Sequence, residues 1–394
     1  MIIALLMMLV GLLASITASQ LYGLRLGGVI IVPLVAVYLL RSFGTFPIFI
    51  LSTVSAYISV RFVKTRIPLY GRQLFIFSII VGSLVPIITV ELLNLELGLT
   101  DNIADVEFIG SVLPGIAAYN FHRLNIEKRT NDAVLSLAVL LFLVLFGIAL
   151  AITIGRTPLA DALPPLLLGP ESDMAATLGI TVNRGSLPVL TSNRFVLFVA
   201  ALGIFLSESI RTRYGLRLTG VIALPIIVFI SFRNAVLLPV WVVATALAYV
   251  AIKTIHWWTL IYGRALLASA VIAGLLATAG VIPTLPIQHG LLPFFSGILA
   301  GVAAYNVHKM ASAERPATVA VSVAVFVILL FTARLAVVPP PRGVLTTVTV
   351  LYLRIGGALL LPGLLMLARL EYIRPPASTV TLTNKMRQQS RNEE

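Results

Sequence analysis

The chain contains no cysteine, which excludes disulfides, thiol catalysis and thiolate metal sites. Charge is nearly as scarce. Only 11% of the residues are charged, against roughly 25% in soluble domains. Acid is the scarcer sign, with 15 Asp and Glu against 28 Lys and Arg in 394 residues. Catalytic signatures are missing as well. The sequence has no Gly-x-x-x-x-Gly-Lys-Ser/Thr loop and no Gly-x-Ser-x-Gly elbow, so it shows neither a nucleotide cradle nor a serine-hydrolase nucleophile. The four histidines lack metal-ligand spacing and the carboxylates fall mostly in loops, so neither a metal nor any other cofactor is expected. Acidic residues within the apolar runs are nearly absent, Glu208 standing at a helix end. That counts against ion-coupled transport, which relies on buried ionisable groups.

What is present is apolar. Hydrophobic residues make up 59% of the chain and the mean hydropathy is +1.04. Many runs approach the ~20 residues that cross a bilayer, which predicts an all-α, polytopic integral membrane protein. The net charge of +13 is spread over short loops and the tail. It therefore marks membrane topology rather than a nucleic-acid partner.

The chain repeats itself. Leu69-Tyr70-Gly71-Arg72 returns as Ile261-Tyr262-Gly263-Arg264, and Tyr22-Gly23-Leu24-Arg25 returns as Tyr214-Gly215-Leu216-Arg217, both 192 residues on. Gly82 and Gly274 keep that offset. Gly115 to Arg123, which includes Asn120 and His122, returns as Gly301 to Lys309 with Asn306 and His308, at an offset of 186. Shared punctuation in one order marks a tandem duplication. The expected organisation is a first membrane repeat at 1–154, an external linker at 155–194 and a second repeat at 195–339. A partial third repeat at 340–369 then contributes one helix, and 370–394 form a cytoplasmic, basic, mostly disordered tail. The third copy is suggested by Arg354 and Pro362, which keep the spacing of Arg25 to Pro33 and of Arg217 to Pro225. The apolar Leu-Pro-Pro-Leu-Leu-Leu run at 163–168 is expected to dock on the outer surface.

Six segments per repeat, near 2–19, 26–40, 45–63, 73–91, 106–121 and 132–154 in the first, give about thirteen spans with the last helix. An even number makes the two six-helix repeats parallel. The short fifth segment is the weak point of that count, because it could be re-entrant. Basic residues between the third and fourth spans (Arg61, Lys64, Arg66 and Arg72) place that side in the cytoplasm. The N-terminus is then outside, the C-terminus inside, and the protein in the cell membrane.

The repeated polar residues are the candidate site. Tyr70, Gly71 and Arg72, with Tyr262, Gly263 and Arg264, combine an interfacial Tyr, a turn Gly and an Arg. Such an Arg either marks the inner face or grips carboxylate or phosphate. Arg25, Arg217 and Arg354 are expected at one face, either snorkelling to headgroups or lining a basic vestibule. Asn120, His122, Asn306 and His308 close the fifth segments and serve either packing or function.

These motifs resemble the PgsC/CapC family of poly-γ-glutamate (capsule) biosynthesis membrane proteins. The resemblance rests on Leu69–Arg72 with Gly82, and on Gly110, Pro114, Gly115 and Ala118 with Arg123 closing the segment. It covers each half separately. In the second half Ser296, Ala300 and Lys309 stand where the first has Gly110, Pro114 and Arg123. The resemblance implies an accessory membrane subunit, not an enzyme, that anchors a separate cytoplasmic ATP-dependent amide ligase, works with other capsule subunits and aids polymer export. The alternatives are a small-solute or lipid transporter, and a membrane scaffold for an unrelated enzyme.

Overall fold

The computed structural model describes residues 1–67, 71–97, 108–182 and 193–373. The first repeat forms six helices: α1 (Ile2–Leu21), α2 (Ile31–Arg41), α3 (Thr45–Arg66), α4 (Gly71–Leu97), α5 (Phe108–His122) and α6 (Ile126–Ile154). A short α7 (Asp173–Leu178) lies in the linker. The second repeat supplies α8 (Asn193–Tyr214), α9 (Ala223–Arg233), α10 (Leu237–Thr259), α11 (Arg264–Val281), α12 (Leu291–His308) and α13 (Arg315–Ala336). The last helix is α14 (Val350–Ile373). Among the described residues, ten helices are long and apolar enough to cross a membrane. Their exposed faces carry Leu, Ile, Val and Phe, as lipid-facing helices should, since lipid needs no polar surface. The protein is an all-α, multi-pass membrane protein.

Packing divides the chain into two compact units. One joins Met1–Phe198 to Val236–Gly301, and the other joins Val199–Ala235 to Val302–Glu394.

The first unit shows how the second segment of a repeat is built. The expected helix near 26–40 begins only at Ile31, because residues 22–30 are unwound. Eleven residues rise about 16 Å, half of a ~30 Å hydrocarbon core. The irregular stretch supplies the rest of the distance. At one end, Asp132 near the start of α6 holds the backbone at residues 25–27. At the other, Arg41 pairs with Glu171 at 2.8 Å, Ser172 donates to the Leu40 carbonyl, and the Phe43 N–H donates to Asp173. Loop and half-helix together therefore run from the start of α6 to the linker that follows its end. Non-helical backbone is tolerated at this depth where protein satisfies its polar groups. The linker run contributes buried Leu163, Leu166, Leu167 and Leu168 to this unit.

Two glycine contacts set the helix spacing. A Cβ on Gly82 of α4 would lie 2.5 Å from the Gly115 Cα of α5, and one on Gly115 would lie 2.5 Å from the Ile79 Cα. The second repeat reproduces this between α11 and α12. There a Cβ on Gly274 would sit 2.6 Å from the Gly301 nitrogen, and one on Gly301 would sit 2.5 Å from the Val271 Cα. Backbone-to-backbone contact is what small residues permit between membrane helices. Ser78 adds a hydrogen bond to the Gly115 carbonyl at 2.7 Å.

In the second unit, α9 relates to α13 much as α2 relates to α6. The Thr219 N–H donates to Ser322 Oγ at 3.0 Å, and Val344 after α13 donates to the Ser231 carbonyl of α9 at 3.0 Å. The α14 helix runs antiparallel to α13, with Gly356 against Phe331 and Gly363 against Ala324. It continues to Ile373, beyond the expected end at 369, because Arg213 and Tyr214 of α8 both bind Glu371.

Candidate functional site

The site is built on the loop between α1 and α2. Leu26 and Gly27 both adopt left-handed backbone, φ 49° and 61°, which turns consecutive N–H groups toward one point. The fully buried carboxylate of Asp132 occupies that point. It accepts from the N–H of Arg25, from Leu26 at 2.8 Å and from Gly27 at 3.2 Å. A nest of backbone N–H groups is an anion cradle, and here the anion belongs to the protein. Asn120 donates to the Ile116 carbonyl at 3.0 Å and lies against Gly28. Lys128 brings its ammonium to the edge of Gly23.

So held, the loop presents Arg25, half-buried, to two other arginines. Arg264, Arg123, Tyr119 and Asp132 all lie within electrostatic reach of it. Arg123 closes α5, exposed, with its guanidinium 5.7 Å from the Tyr119 ring centre. Tyr119 is fixed edge-on to Phe75 at 5.0 Å. Arg264 opens α11, half-buried, and lies within electrostatic reach of Arg123 and Asp132 as well as Arg25. Two arginines of the first repeat and one of the second thus lie within electrostatic reach of one another in the first unit. The only carboxylate among these partners is already engaged by backbone.

The two turn glycines have a clear reason. Gly71 opens α4 and Gly263 precedes α11, with φ 57° and 67°, where a Cβ would collide with its own backbone. Each sets the following Arg72 or Arg264 at the first turn of its helix. Arg72 is half-buried there. Tyr262 is exposed, its ring 4.6 Å from that of His256. Tyr70 lies outside the described residues. Gly110, Pro114 and Gly115 all lie in α5.

Other expected members sit at helix ends. The His122 carbonyl accepts from Arg129 at 3.3 Å, and the ring stands 5.9 Å from Tyr57. The His308 carbonyl accepts from Arg315 at 3.2 Å. Arg129 and Arg315 also bind the carbonyls of Leu124 and Met310 at 3.0 and 3.1 Å, satisfying the C-terminal ends of α5 and α12. In the second unit, Asn306 donates to the Thr219 carbonyl at 2.9 Å, and Arg217 acts electrostatically on Tyr305.

Arg354 does not join Arg217. The antiparallel run of α14 sets Arg354 near the end of α13, while Glu371 meets Arg213 and Tyr214 beside Arg217. The seventeen residues from Arg354 to Glu371 span about 25 Å of helix. The Arg-Gly-Gly-Pro pattern that is unwound at residues 25–28 is here continuous helix. The unwound form depends on acceptors and donors from α5 and α6. Packed along α13, the same pattern closes its own backbone hydrogen bonds.

Asp132 is the residue that sequence reasoning passed over. It sits at the edge of an apolar run that reads as beginning at 132, and its counterpart at the repeat offset is Thr318, so the duplication does not flag it. An acid at the very edge of an apolar run, after the charged stretch Glu127-Lys128-Arg129, was the available signal.

A buried anion holding an unwound membrane segment, with clustered cations at one end, places this chain among polytopic proteins that carry polar machinery inside a bilayer. The family model for capsule biosynthesis CapC matches residues 10–130 and again 202–315. The chain belongs to that family, matched once in each repeat, and is a membrane protein of capsule biosynthesis. No curated protein and no solved structure matches it.

Proposed function

We propose that this chain is the membrane subunit of a system that makes and exports an anionic γ-glutamyl polymer. The observation that carries this reading is the loop that Asp132 holds through three backbone N–H groups, with Arg25 on it within electrostatic reach of Arg123 and Arg264. Clustered cations in a partly buried setting attract anions and raise their local concentration. A chain of γ-linked glutamates presents one free carboxylate per residue, which suits that chemistry.

The basic end faces the cytoplasm of the cell membrane, in keeping with the distribution of Lys and Arg, so the N-terminus is outside and the C-terminus inside. There the protein anchors an ATP-dependent amide ligase, which forms the γ-amide bonds, and guides the product outward. The chain itself acts as an accessory subunit. Its sequence has no nucleotide-binding loop, and amide ligation of free carboxylates needs an activating nucleotide.

The test is the surface polymer of a strain lacking the gene. Glutamate released by acid hydrolysis of cell-surface material should fall to background and return with the intact gene. Unchanged glutamate would remove the polymer reading and leave a transporter or a scaffold for another enzyme.

A further inference from the structure

We infer that the C-terminal end of α10 and the turn after it form a lipid-headgroup anchor. Trp257, Trp258, Leu260 and Tyr262 sit in the polar layer of the bilayer, with Lys253 at its phosphates. The anchor belongs to the second repeat alone and does not depend on what the protein binds or exports.

The helix itself points to the bilayer. One face of α10 is buried through Val240, Ala244, Ala248 and Ile252, and the other exposes Val243, Leu247 and Val250, which suits lipid. Val243, Val250 and Trp257 follow one another at intervals of seven residues, about two turns of helix. Trp257 therefore continues the lipid-facing stripe. The 23 residues of α10 rise about 34 Å, a little more than the ~30 Å hydrocarbon core. Its last turn emerges into the headgroups.

The chemistry of that end suits the headgroup layer and neither of its neighbours. Trp257 and Trp258 are 77% and 75% exposed, their rings edge to face with centres 5.7 Å apart. Leu260 and Tyr262 are exposed as well. Four large apolar bodies within residues 257–262 would make a sticky patch in water. In hydrocarbon, the indole N–H groups, the Tyr hydroxyl and the Lys253 ammonium would lack water to bind. The headgroup layer accepts an apolar ring and satisfies its polar edge together. Lys253 is exposed one turn before Trp257, where its stem can run along the helix and bring the ammonium to lipid phosphate.

Leu260 is an independent sign. It caps α10 in left-handed backbone, φ 52°, with its N–H on the His256 carbonyl at 3.0 Å. Glycine takes this position without strain. A leucine here accepts the strain and also leaves its side chain exposed. An apolar surrounding for that side chain would offset both.

The first repeat lacks the device. At the offset of 192, α3 has Arg61, Lys64, Thr65 and Arg66 where α10 has Lys253, His256, Trp257 and Trp258, and all four are exposed. That end meets headgroups through charge, which salt screens. The aromatic end is held by burial, which salt does not weaken. Through Gly263 the turn runs directly into Arg264, so its depth sets where α11 begins.

The chain has three tryptophans and no cysteine, which makes the test direct. Trp241→Phe leaves Trp257 and Trp258 as the only tryptophans. In phosphatidylcholine nanodiscs their emission should be blue-shifted from that of the unfolded chain. Lipids brominated near the headgroup should quench it more than lipids brominated near the chain end, and aqueous acrylamide should quench it least. Added salt should change none of this. Water-like emission quenched chiefly by acrylamide would overturn the inference and leave the patch to a protein partner. Stronger quenching from the chain end would overturn it too, by placing the pair in hydrocarbon. A spin label covers the case in which Trp241→Phe fails to fold. At Leu260→Cys it should be several-fold less open to an aqueous relaxation agent than at Thr65→Cys. Equal access at the two positions would overturn the inference.

Discussion

Asp132→Ala should destabilise the protein more than any other single side-chain truncation in the first repeat. The change leaves the N–H groups of Arg25, Leu26 and Gly27 without their acceptor in a buried setting. Each orphaned donor costs about 1–3 kcal/mol, so the loss should exceed about 3 kcal/mol. The left-handed backbone at Leu26 and Gly27 would then lack the partner that holds it, and the loop would release Arg25 from the cluster. Thermal unfolding of the purified protein in detergent would show the drop, together with a lower amount in membranes. Asp132→Asn keeps one carbonyl oxygen as acceptor and should lie between alanine and wild type. The corresponding Thr318→Ala in the second repeat should be nearly silent, because the Thr318 hydroxyl has no partner and Ser322 binds the loop instead. Equal losses for Asp132→Ala and Thr318→Ala would show that the carboxylate does not hold the loop.

The second large effect is expected from bulk at the helix crossings. Gly115→Val places atoms within 2.5 Å of the Ile79 Cα of the facing helix, and backbone cannot rotate away as a side chain can. Overpacking in a tight core costs about 1–3 kcal/mol where neighbours can adjust. Here α4 and α5 must separate, which also breaks the Ser78 hydrogen bond to the Gly115 carbonyl. The protein should fail to accumulate or should aggregate on extraction. Gly301→Val should do the same, since its Cβ meets the Val271 Cα at 2.5 Å. Gly280→Ala and Gly357→Ala, where an added Cβ meets nothing within 4 Å, should be tolerated. Normal yield and unfolding temperature for Gly115→Val would mean that the two helices do not touch as described.

Some of this was legible in the chain of letters. Apolar runs dictate helices, because a bilayer offers no partner for backbone polar groups, and internal identity dictates two copies. The glycines at 71, 82, 115, 263, 274 and 301 were visible as repeated punctuation. Their separate reasons, left-handed backbone for two and backbone contact for four, needed coordinates. The second segment misled at its start. Residues 26–30 are as apolar as a helix, and only the distant Asp132 and Asn120 make the unwound form stable. Hydropathy reads composition along the chain and is blind to a partner more than a hundred residues away.

The sequence by itself determined the membrane class, the all-helical build, the duplication and the family, since each follows from local composition or from identity between segments. Tertiary structure alone decided which arginines act on one another. Arg25, Arg123 and Arg264 are brought together by helices from both repeats, whereas Arg354, which shares its spacing with Arg25, is carried about 25 Å along its helix from the end where Glu371 binds Arg213. The physical reason is that electrostatic partnership depends on distance in space. Sequence spacing fixes that distance only within one helix.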